Sequence, residues 1–212
     1  MNIYLENNNF KLIANKNTGL IEGLYSKKDK DGASFLLSTE LLEKEGFLKQ
    51  KHRLLGSSIF QLKEDNKKEE GLIETGNLPL QRADFNKEKI VFTREVSGLL
   101  FTYEFALLED GLSWDVIVKN KRKEDVFFKK LAHWIPISYL CGGDIDYNLR
   151  GSWSMVPSME VSKPYIICKK RNGQGPDYIV RNTTGGMKSV GSACDYRNLF
   201  FEKASPSLSG LV

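Results

Sequence analysis

The sequence predicts an all-β fold of antiparallel sheets with one short helix, and three observations predict it. From residue 89 to residue 137, apolar and polar side chains alternate in four successive segments separated by tight or polar turns. The turns recur at close to the roughly 8–12 residues typical of antiparallel meanders. A parallel α/β sheet is disfavoured, because strands and helices do not alternate repeatedly along the sequence. The 212 residues suffice to bury a substantial core in a single domain, 1–212.

The first third of the chain predicts short strands and the helix. Asn7-Asn8-Asn9 separates two of these strands, because asparagine forms side-chain turns and tolerates positive φ. Ser38 is a candidate N-cap and Gly46 a candidate stop for a helix over 38–46. The strands predicted in this part lie at 2–5, 10–14, 20–25 and 57–62.

The meander and the segments after it supply the remaining strands. Ser97-Gly98 and Glu109-Asp110-Gly111 are hairpin turn signals between strands of strict alternation. Glycine pairs near 142 and 151 and the segment Asn172–Pro176 mark later turns. The predicted strands are 89–96, 99–108, 112–119, 126–137, 164–170 and 177–181.

Composition and charge exclude several classes of protein. The 31 Lys and Arg residues are interspersed with 27 Asp and Glu, so no basic stripe of the kind that binds nucleic acid is present. No apolar run approaches the roughly 20 residues of a membrane helix, so no membrane partner is expected. The three cysteines lack metal-ligand spacing and predict either reduced thiols or one disulfide with one free thiol. The N-terminus has no signal peptide, and we expect a cytoplasmic protein if Met1 is the native start.

The candidate ligand surface lies in the stretch 132–175, where aromatic and polar side chains concentrate. Aromatic faces stack on the apolar C–H faces of sugars, while nearby planar polar groups bind the hydroxyls. This mixture predicts a saccharide-binding surface without a cofactor or a metal. The candidate ligand-binding residues are His133, Trp134, Asp144, Asp146, Arg150, Trp153 and Arg171.

Each of these signals also has a purely structural interpretation. The aromatic residues can fill a sandwich core, and His133 can pack beside Pro136 with its ring bonded to a backbone carbonyl. Asp144 and Asp146, about 6.5–7 Å apart on an extended strand, can be a catalytic pair, Ca²⁺ ligands or exposed loop acids. The sequence holds no complete catalytic motif, neither a serine elbow nor a His-Glu-x-x-His metal motif, and no catalytic residue is assigned.

Three short motifs carry a resemblance to a known family: Leu99–Asp115, Gly151-Ser152-Trp153 and Arg171–Pro176. In these the chain resembles the N-terminal domain of a bacterial family of uncharacterised six-hairpin glycosidase-like proteins. The resemblance implies a galactose-mutarotase-like fold, an antiparallel super-sandwich of two sheets. In the parent protein this domain would be followed by a helical (α/α) barrel. It also implies a partner, the intramolecular helical catalytic domain, with this chain as the N-terminal part of a longer protein.

Three hypotheses about function follow. The first is a carbohydrate-related accessory or binding domain of a glycosidase-like protein, not itself catalytic, and it predicts an aromatic cleft with polar rims. The second is a sugar epimerase or lyase, which requires His133 at hydrogen-bond distance from a carboxylate. The third is a structural buttress for a missing catalytic domain, which predicts a broad apolar face.

Overall fold

The structure, a computed structural model, describes residues 1–29, 32, 34–36, 38–40, 54–63, 71–136, 145–150, 165–170, 178–181, 187–193 and 198–203. For residues 134–136 and all strands from residue 145 onward, the description covers the backbone alone. A turn of 3-10 helix, Thr75–Asn77, lies among strands. The described strands are β1 (Asn2–Glu6), β2 (Phe10–Asn15), β3 (Leu20–Ser26), β4 (Ile59–Lys63), β5 (Ile73–Glu74), β6 (Arg82–Phe85), β7 (Lys89–Val96), β8 (Leu99–Leu107), β9 (Leu112–Asn120), β10 (Phe127–Pro136), β11 (Ile145–Arg150), β12 (Tyr165–Lys170), β13 (Tyr178–Arg181), β14 (Met187–Ala193) and β15 (Asn198–Lys203).

The described strands pair antiparallel throughout and form four hydrogen-bonded sheets. Two of these sheets are three-stranded, β1-β2-β3 and β11-β12-β13. The meander is the four-stranded sheet β6-β7-β8-β9, and the fourth sheet has the order β14-β15-β10-β4-β5. The last order places strands distant in sequence side by side, so local hairpins and long-range pairings both build the fold.

The structure confirms the all-β antiparallel fold class. The expected arrangement of two large sheets takes the form, in the described residues, of four smaller hydrogen-bonded groups. Of the helix expected over 38–46, Thr39 and Glu40 have helical backbone, and residues 41–46 lie outside the described residues. Glu22 receives the Thr39 backbone N–H at 2.8 Å and the Thr39 hydroxyl at 2.6 Å, so a carboxylate from β3 binds the start of this segment.

The turns predicted from asparagine and glycine have the expected local chemistry. The Asn7 side chain accepts hydrogen bonds from the backbone N–H of Asn9 at 2.9 Å and of Phe10 at 2.7 Å. Ser97 and Gly98 have φ of 51° and 68°, the pair of positive values that a two-residue type I′ hairpin requires. The same asparagine-rich turn is also hydrogen-bonded to the residue that follows β8, because Asn7 Nδ2 donates to the Leu108 carbonyl at 2.8 Å.

The hydrophobic core lies between the inward faces of the first sheet, of β4 and of the meander. Phe60 on β4 stacks on Phe101 of β8 with ring centroids 5.0 Å apart, and Phe101 stacks in turn on Tyr103 at 6.5 Å. Aromatic pairs of this kind stabilise beyond their buried area by about 0.5–1.5 kcal/mol. The fully or nearly fully buried apolar residues of this core include Ile3, Leu5, Leu12, Ala14, Ile21, Phe35, Leu36, Leu55, Phe60, Leu62, Ile90, Phe92, Leu99, Phe101, Tyr103, Phe105 and Leu131.

Candidate functional site

The structure distributes the predicted ligand-binding residues over two sheets. His133 and Trp134 lie on β10, in the five-stranded sheet, whereas Asp146 and Arg150 lie on β11, in the second three-stranded sheet. In backbone register, Asp146 lies opposite Lys169 and Arg150 opposite Tyr165. The remaining predicted contacts, Asp144, Trp153 and Arg171, lie outside the described residues. The described strand pairings do not join β10 to β11, so the common surface stays a prediction.

His133 has a well-defined environment inside the fold. Its Nδ1 lies 2.7 Å from the Ser58 hydroxyl oxygen, and its ring meets the Trp114 ring edge-on with centroids 6.0 Å apart. The side chain is half-buried, and this burial lowers the pKa of His133 to about 4. At neutral pH the imidazole is therefore uncharged and bonds to a hydroxyl within the part of the chain that the structure describes.

A buried network of hydroxyl groups continues from His133, with Tyr103 at its centre. The Tyr103 hydroxyl lies 2.6 Å from Thr75 Oγ1 and 2.9 Å from Ser58 Oγ, and all three residues are fully buried. Burial raises the pKa of the Tyr103 phenol, and the hydrogen bonds with Ser58 and Thr75 oppose that rise. The phenol therefore stays protonated, and it joins β8 to the segment before β4 and to the 3-10 turn.

Backbone groups tie the 3-10 turn into the same network. The Ser58 N–H donates to Thr75 Oγ1 at 2.8 Å, and the Thr75 N–H donates to the Ser58 carbonyl at 2.9 Å. The Gly76 N–H donates to Ser57 Oγ at 2.8 Å. These hydrogen bonds satisfy polar groups that are buried in the fold. A buried donor or acceptor without a partner would cost about 1–3 kcal/mol of stability.

Arg94 adds a buried cation beside this network. Its guanidinium donates to the carbonyls of Gly56, at 3.4 Å, and Thr18, and it lies 5.7 Å from the Tyr103 ring centroid. Arg94 is fully buried, and this burial lowers the pKa of its guanidinium. Within the described residues its partners are carbonyls and an aromatic ring, and Nε has no partner. The side chain therefore fastens the turns before β3 and β4 to the meander.

The network can hold protons but offers no route to a substrate. A serine hydroxyl 2.7 Å from a histidine nitrogen has the spacing of a nucleophile and its base. Ser58, however, is fully buried and also bonds to the Tyr103 hydroxyl. A polymer cannot reach an oxygen atom enclosed in the core, so this geometry supports a role in joining the sheets.

Sequence reasoning found His133 and missed Ser58, Thr75, Tyr103 and Arg94. One signal was available for Arg94, because it shares the inward phase of Ile90 and Phe92 on β7. A cation at a position that alternation assigns to the core predicts a specific buried role. No local pattern identifies Ser58 or Thr75, because their partners are contributed by distant strands.

Among the described residues, no three His, Cys, Asp or Glu side chains gather in a way that could hold a metal ion. Nor does that part of the chain contain a helix long and apolar enough to span a bilayer.

Comparison with known proteins finds a shared fold. No protein-family profile and no curated protein sequence matches the chain. Among solved structures, a polysaccharide lyase is similar with a TM-score of 0.70 and 13% sequence identity. The similarity covers 94% of this chain and 30% of the lyase chain, so this chain spans less than a third of that protein. At this identity the likeness shows the fold alone, a β fold like that of a carbohydrate-active enzyme.

Proposed function

We propose that this chain is a carbohydrate-related accessory or binding domain of a longer carbohydrate-active protein. The observation that supports the proposal is the fold shared over 94% of the chain with part of a polysaccharide lyase. In this proposal the β-domain holds saccharide while a separate helical domain carries the chemistry. The glycosidase-like family and the mutarotase-like super-sandwich suggested by the sequence motifs belong to the same proposal.

The proposed saccharide contacts are those predicted from the sequence, with β10 and β11 as their framework. On β11 the polar residues Asp146 and Arg150 alternate with apolar ones, and their register partners on β12 are Lys169 and Tyr165. Charged groups beside an aromatic residue are the combination that sugar hydroxyls and C–H faces require. The complete set of proposed saccharide contacts is His133, Trp134, Asp144, Asp146, Arg150, Trp153 and Arg171.

The enzyme alternative gains no support from the described geometry. An epimerase or lyase acting through His133 needs a carboxylate within about 3 Å of the imidazole. The described partner of His133 Nδ1 is the Ser58 hydroxyl at 2.7 Å. Because Nδ1 is engaged by Ser58, catalysis by this histidine would have to proceed through Nε2.

The buttress alternative also lacks a specific observation in the described residues. The large apolar residues with about half or more of their surface exposed each lie on a different strand or turn, and scattered exposed apolar residues are normal. These residues are Met1, Tyr4, Leu72, Phe85, Leu108, Ile117 and Phe127.

A thermal-shift screen against oligosaccharides, with and without Ca²⁺, tests the proposed function. A ligand bound only by the folded state adds about 2.7 kcal/mol of stability at a hundredfold excess over Kd, so we expect one sugar class to raise Tm reproducibly. Arg150→Gln or Trp134→Ala should abolish that shift, whereas the control Lys119→Gln, at an exposed position of β9, should retain it. An unchanged Tm with every sugar at millimolar concentration would contradict the proposal.

A further inference from the structure

We propose a saccharide-stacking platform on the outer face of the first sheet, formed by Tyr4 and Tyr25 with Glu6 and Lys11 beside them. The platform deepens the proposed function and rests on it, because it names a second surface of the same domain and the chemistry of its ligand. The ligand class is an oligosaccharide of at least three pyranose rings.

Strand alternation places the platform on the outer face of the sheet. On β1 the residues Ile3 and Leu5 are buried in the core, and Tyr4 between them points outward with 55% of its surface exposed. On β2 the buried residues are Leu12 and Ala14, so Ile13 faces outward and is half-buried. Tyr4 pairs in register with Ile13, which places their side chains side by side on that face.

Gly23 leaves room for the ring of Tyr25 on this face of the sheet. A Cβ atom at Gly23 would lie 2.6 Å from Cε2 of Tyr25 and 3.0 Å from both Cζ and the hydroxyl oxygen. The outer end of the ring therefore occupies the space above the glycine backbone. Glycine inside a strand is unfavourable unless something approaches the backbone closely, as this ring does. Tyr25 is half-buried, so part of its side chain is exposed.

The two tyrosine rings therefore share one rung of the sheet. Tyr4 pairs with Ile13 and Ile13 pairs with Gly23, over which the Tyr25 ring lies. Two strand spacings separate the outer positions of this rung, about 9.6 Å. Neighbouring pyranose rings of an extended chain lie about half that distance apart, so the spacing suits the first and third rings of an oligosaccharide, with the middle ring over Ile13.

The next rung supplies polar groups for sugar hydroxyls. Glu6, Lys11 and Tyr25 are register partners across the three strands. Lys11 Nζ lies 5.1 Å from the Tyr4 ring centroid, so it steadies one face of the ring and leaves the other open. Glu6 pairs with Lys27 at 2.7 Å, and this hydrogen bond and charge lower the pKa of Glu6, so the carboxylate is an ionised acceptor at neutral pH.

An apolar rung beside a charged rung matches a sugar better than it matches an apolar protein surface. A pyranose ring presents C–H groups on one face and hydroxyls at its edge, so it can stack on tyrosine and still bond to charged neighbours. A purely apolar partner would bury Glu6, Lys11 and Lys27 and incur their desolvation cost.

Affinity electrophoresis of the whole chain tests the platform. The gels would contain a neutral β-glucan, a galactomannan, polygalacturonate or hyaluronan, and retardation gives Kd for each polymer. We expect wild type to bind at least one polymer, and Tyr4→Ala and Tyr25→Ala each to weaken that binding by about tenfold, the equivalent of about 1.4 kcal/mol. Retardation only by the two acidic polymers would show that Lys11 recognises carboxylates and would support the platform with an anionic ligand.

Two further variants separate stacking from folding. Gly23→Ala keeps both tyrosines and has an ordinary backbone φ, but its new methyl group must displace the Tyr25 ring, so binding should weaken while Tm changes little. Phe127→Ala is the matched control, because Phe127 is 54% exposed, as Tyr4 is at 55%, and lies on β10 of another sheet. It should bind as wild type does.

The outcomes distinguish the platform from the proposed function itself. If wild type binds a polymer and Tyr4→Ala, Tyr25→Ala and Gly23→Ala all bind it equally well, the platform is wrong and the proposed function stands. If binding is lost in Arg150→Gln alone, the ligand lies at β11 and the platform is again wrong. If wild type binds none of the polymers, both proposals fail.

Discussion

Arg94 lies at an inward position of β7 and is enclosed by carbonyls and by the Tyr103 ring. We expect Arg94→Ala to lower the free energy of unfolding by roughly 3–5 kcal/mol, because it leaves a cavity and two carbonyls without donors. Arg94→Met should lose clearly less, because it fills the space and removes the cost of burying a charge. Urea denaturation measures both values, and equal losses would show that the hydrogen bonds outweigh packing and desolvation.

His133 gives the fold a pH dependence whose sign follows from its lowered pKa. The unfolded chain binds a proton at this residue below about pH 6.5, whereas the folded chain binds it only near the folded pKa of about 4. The free energy of unfolding should therefore fall as the pH drops from 6.5 to 4, by about 2 kcal/mol for a half-buried ring. Above pH 6.5 this residue should contribute no pH dependence.

His133→Gln isolates that contribution, because glutamine cannot titrate and can still hydrogen-bond to Ser58. The difference in unfolding free energy between wild type and this variant should change across pH 4–6.5 and stay constant from pH 7 to 8. A difference that is the same at every pH would contradict a neutral, buried imidazole. Chemical denaturation at a series of pH values supplies the data.

The residue scale also shows the limit of sequence reasoning. Alternation along β7 could have identified Arg94 as buried, and His133 was found from its position in a strand. The partner of His133 is Ser58, 75 positions away, and the carbonyls that bind Arg94 belong to Thr18 and Gly56, 76 and 38 positions away. A pattern within one segment carries no information about which distant hydroxyl will face it.

At the scale of elements, the meander was predictable because its signals are local. The strands at 89–96, 99–107 and 112–120 lie within one residue of the prediction, since alternation and glycine turns mark both ends. Strand β6 was not predicted because it is a largely exposed edge strand of only four residues. Strand β14 was not predicted either, because Met187–Ala193 consists mostly of small or polar residues and pairs with β15.

The β7–β8 hairpin depends on Gly98, whose φ is 68°. A Cβ atom there would also lie 2.7 Å from Cγ of Arg122, which donates from Nε to the Ser97 carbonyl at 2.6 Å. We expect Gly98→Val to lower the free energy of unfolding by about 2–3 kcal/mol, combining left-handed strain and the lost contact. Thermal or urea unfolding measures the change.

Gly111, in the next hairpin turn, is the matched control for Gly98. It has no positive φ, and a Cβ atom there meets nothing within 4 Å. Gly111→Ala should change the free energy of unfolding by less than about 0.5 kcal/mol. Similar losses at the two glycines would show that backbone conformation does not govern these turns.

At the scale of the molecule, the fold class was predictable and the sheet order was not. The alternation of apolar and polar residues and the spacing of the turns predict an antiparallel all-β protein, and the structure confirms this fold class. The order β14-β15-β10-β4-β5 pairs β10 with β4 and with β15, each more than 60 positions away along the chain, and only the packing of their shared face selects it. The same limitation applies to the ligand surface, whose predicted members lie partly on separate sheets and partly outside the described residues.

The central claim is that this β-domain binds saccharide, and saturation-transfer difference NMR on oligosaccharides tests it most directly. Irradiating the protein should transfer saturation to the ring C–H protons of at least one sugar, because those protons would lie against aromatic side chains. We expect such transfer for wild type. The transfer should be weaker in Tyr4→Ala if the sugar binds at the platform, and weaker in Arg150→Gln if the sugar binds at β11. No transfer to any neutral or acidic oligosaccharide at millimolar concentration would contradict the claim.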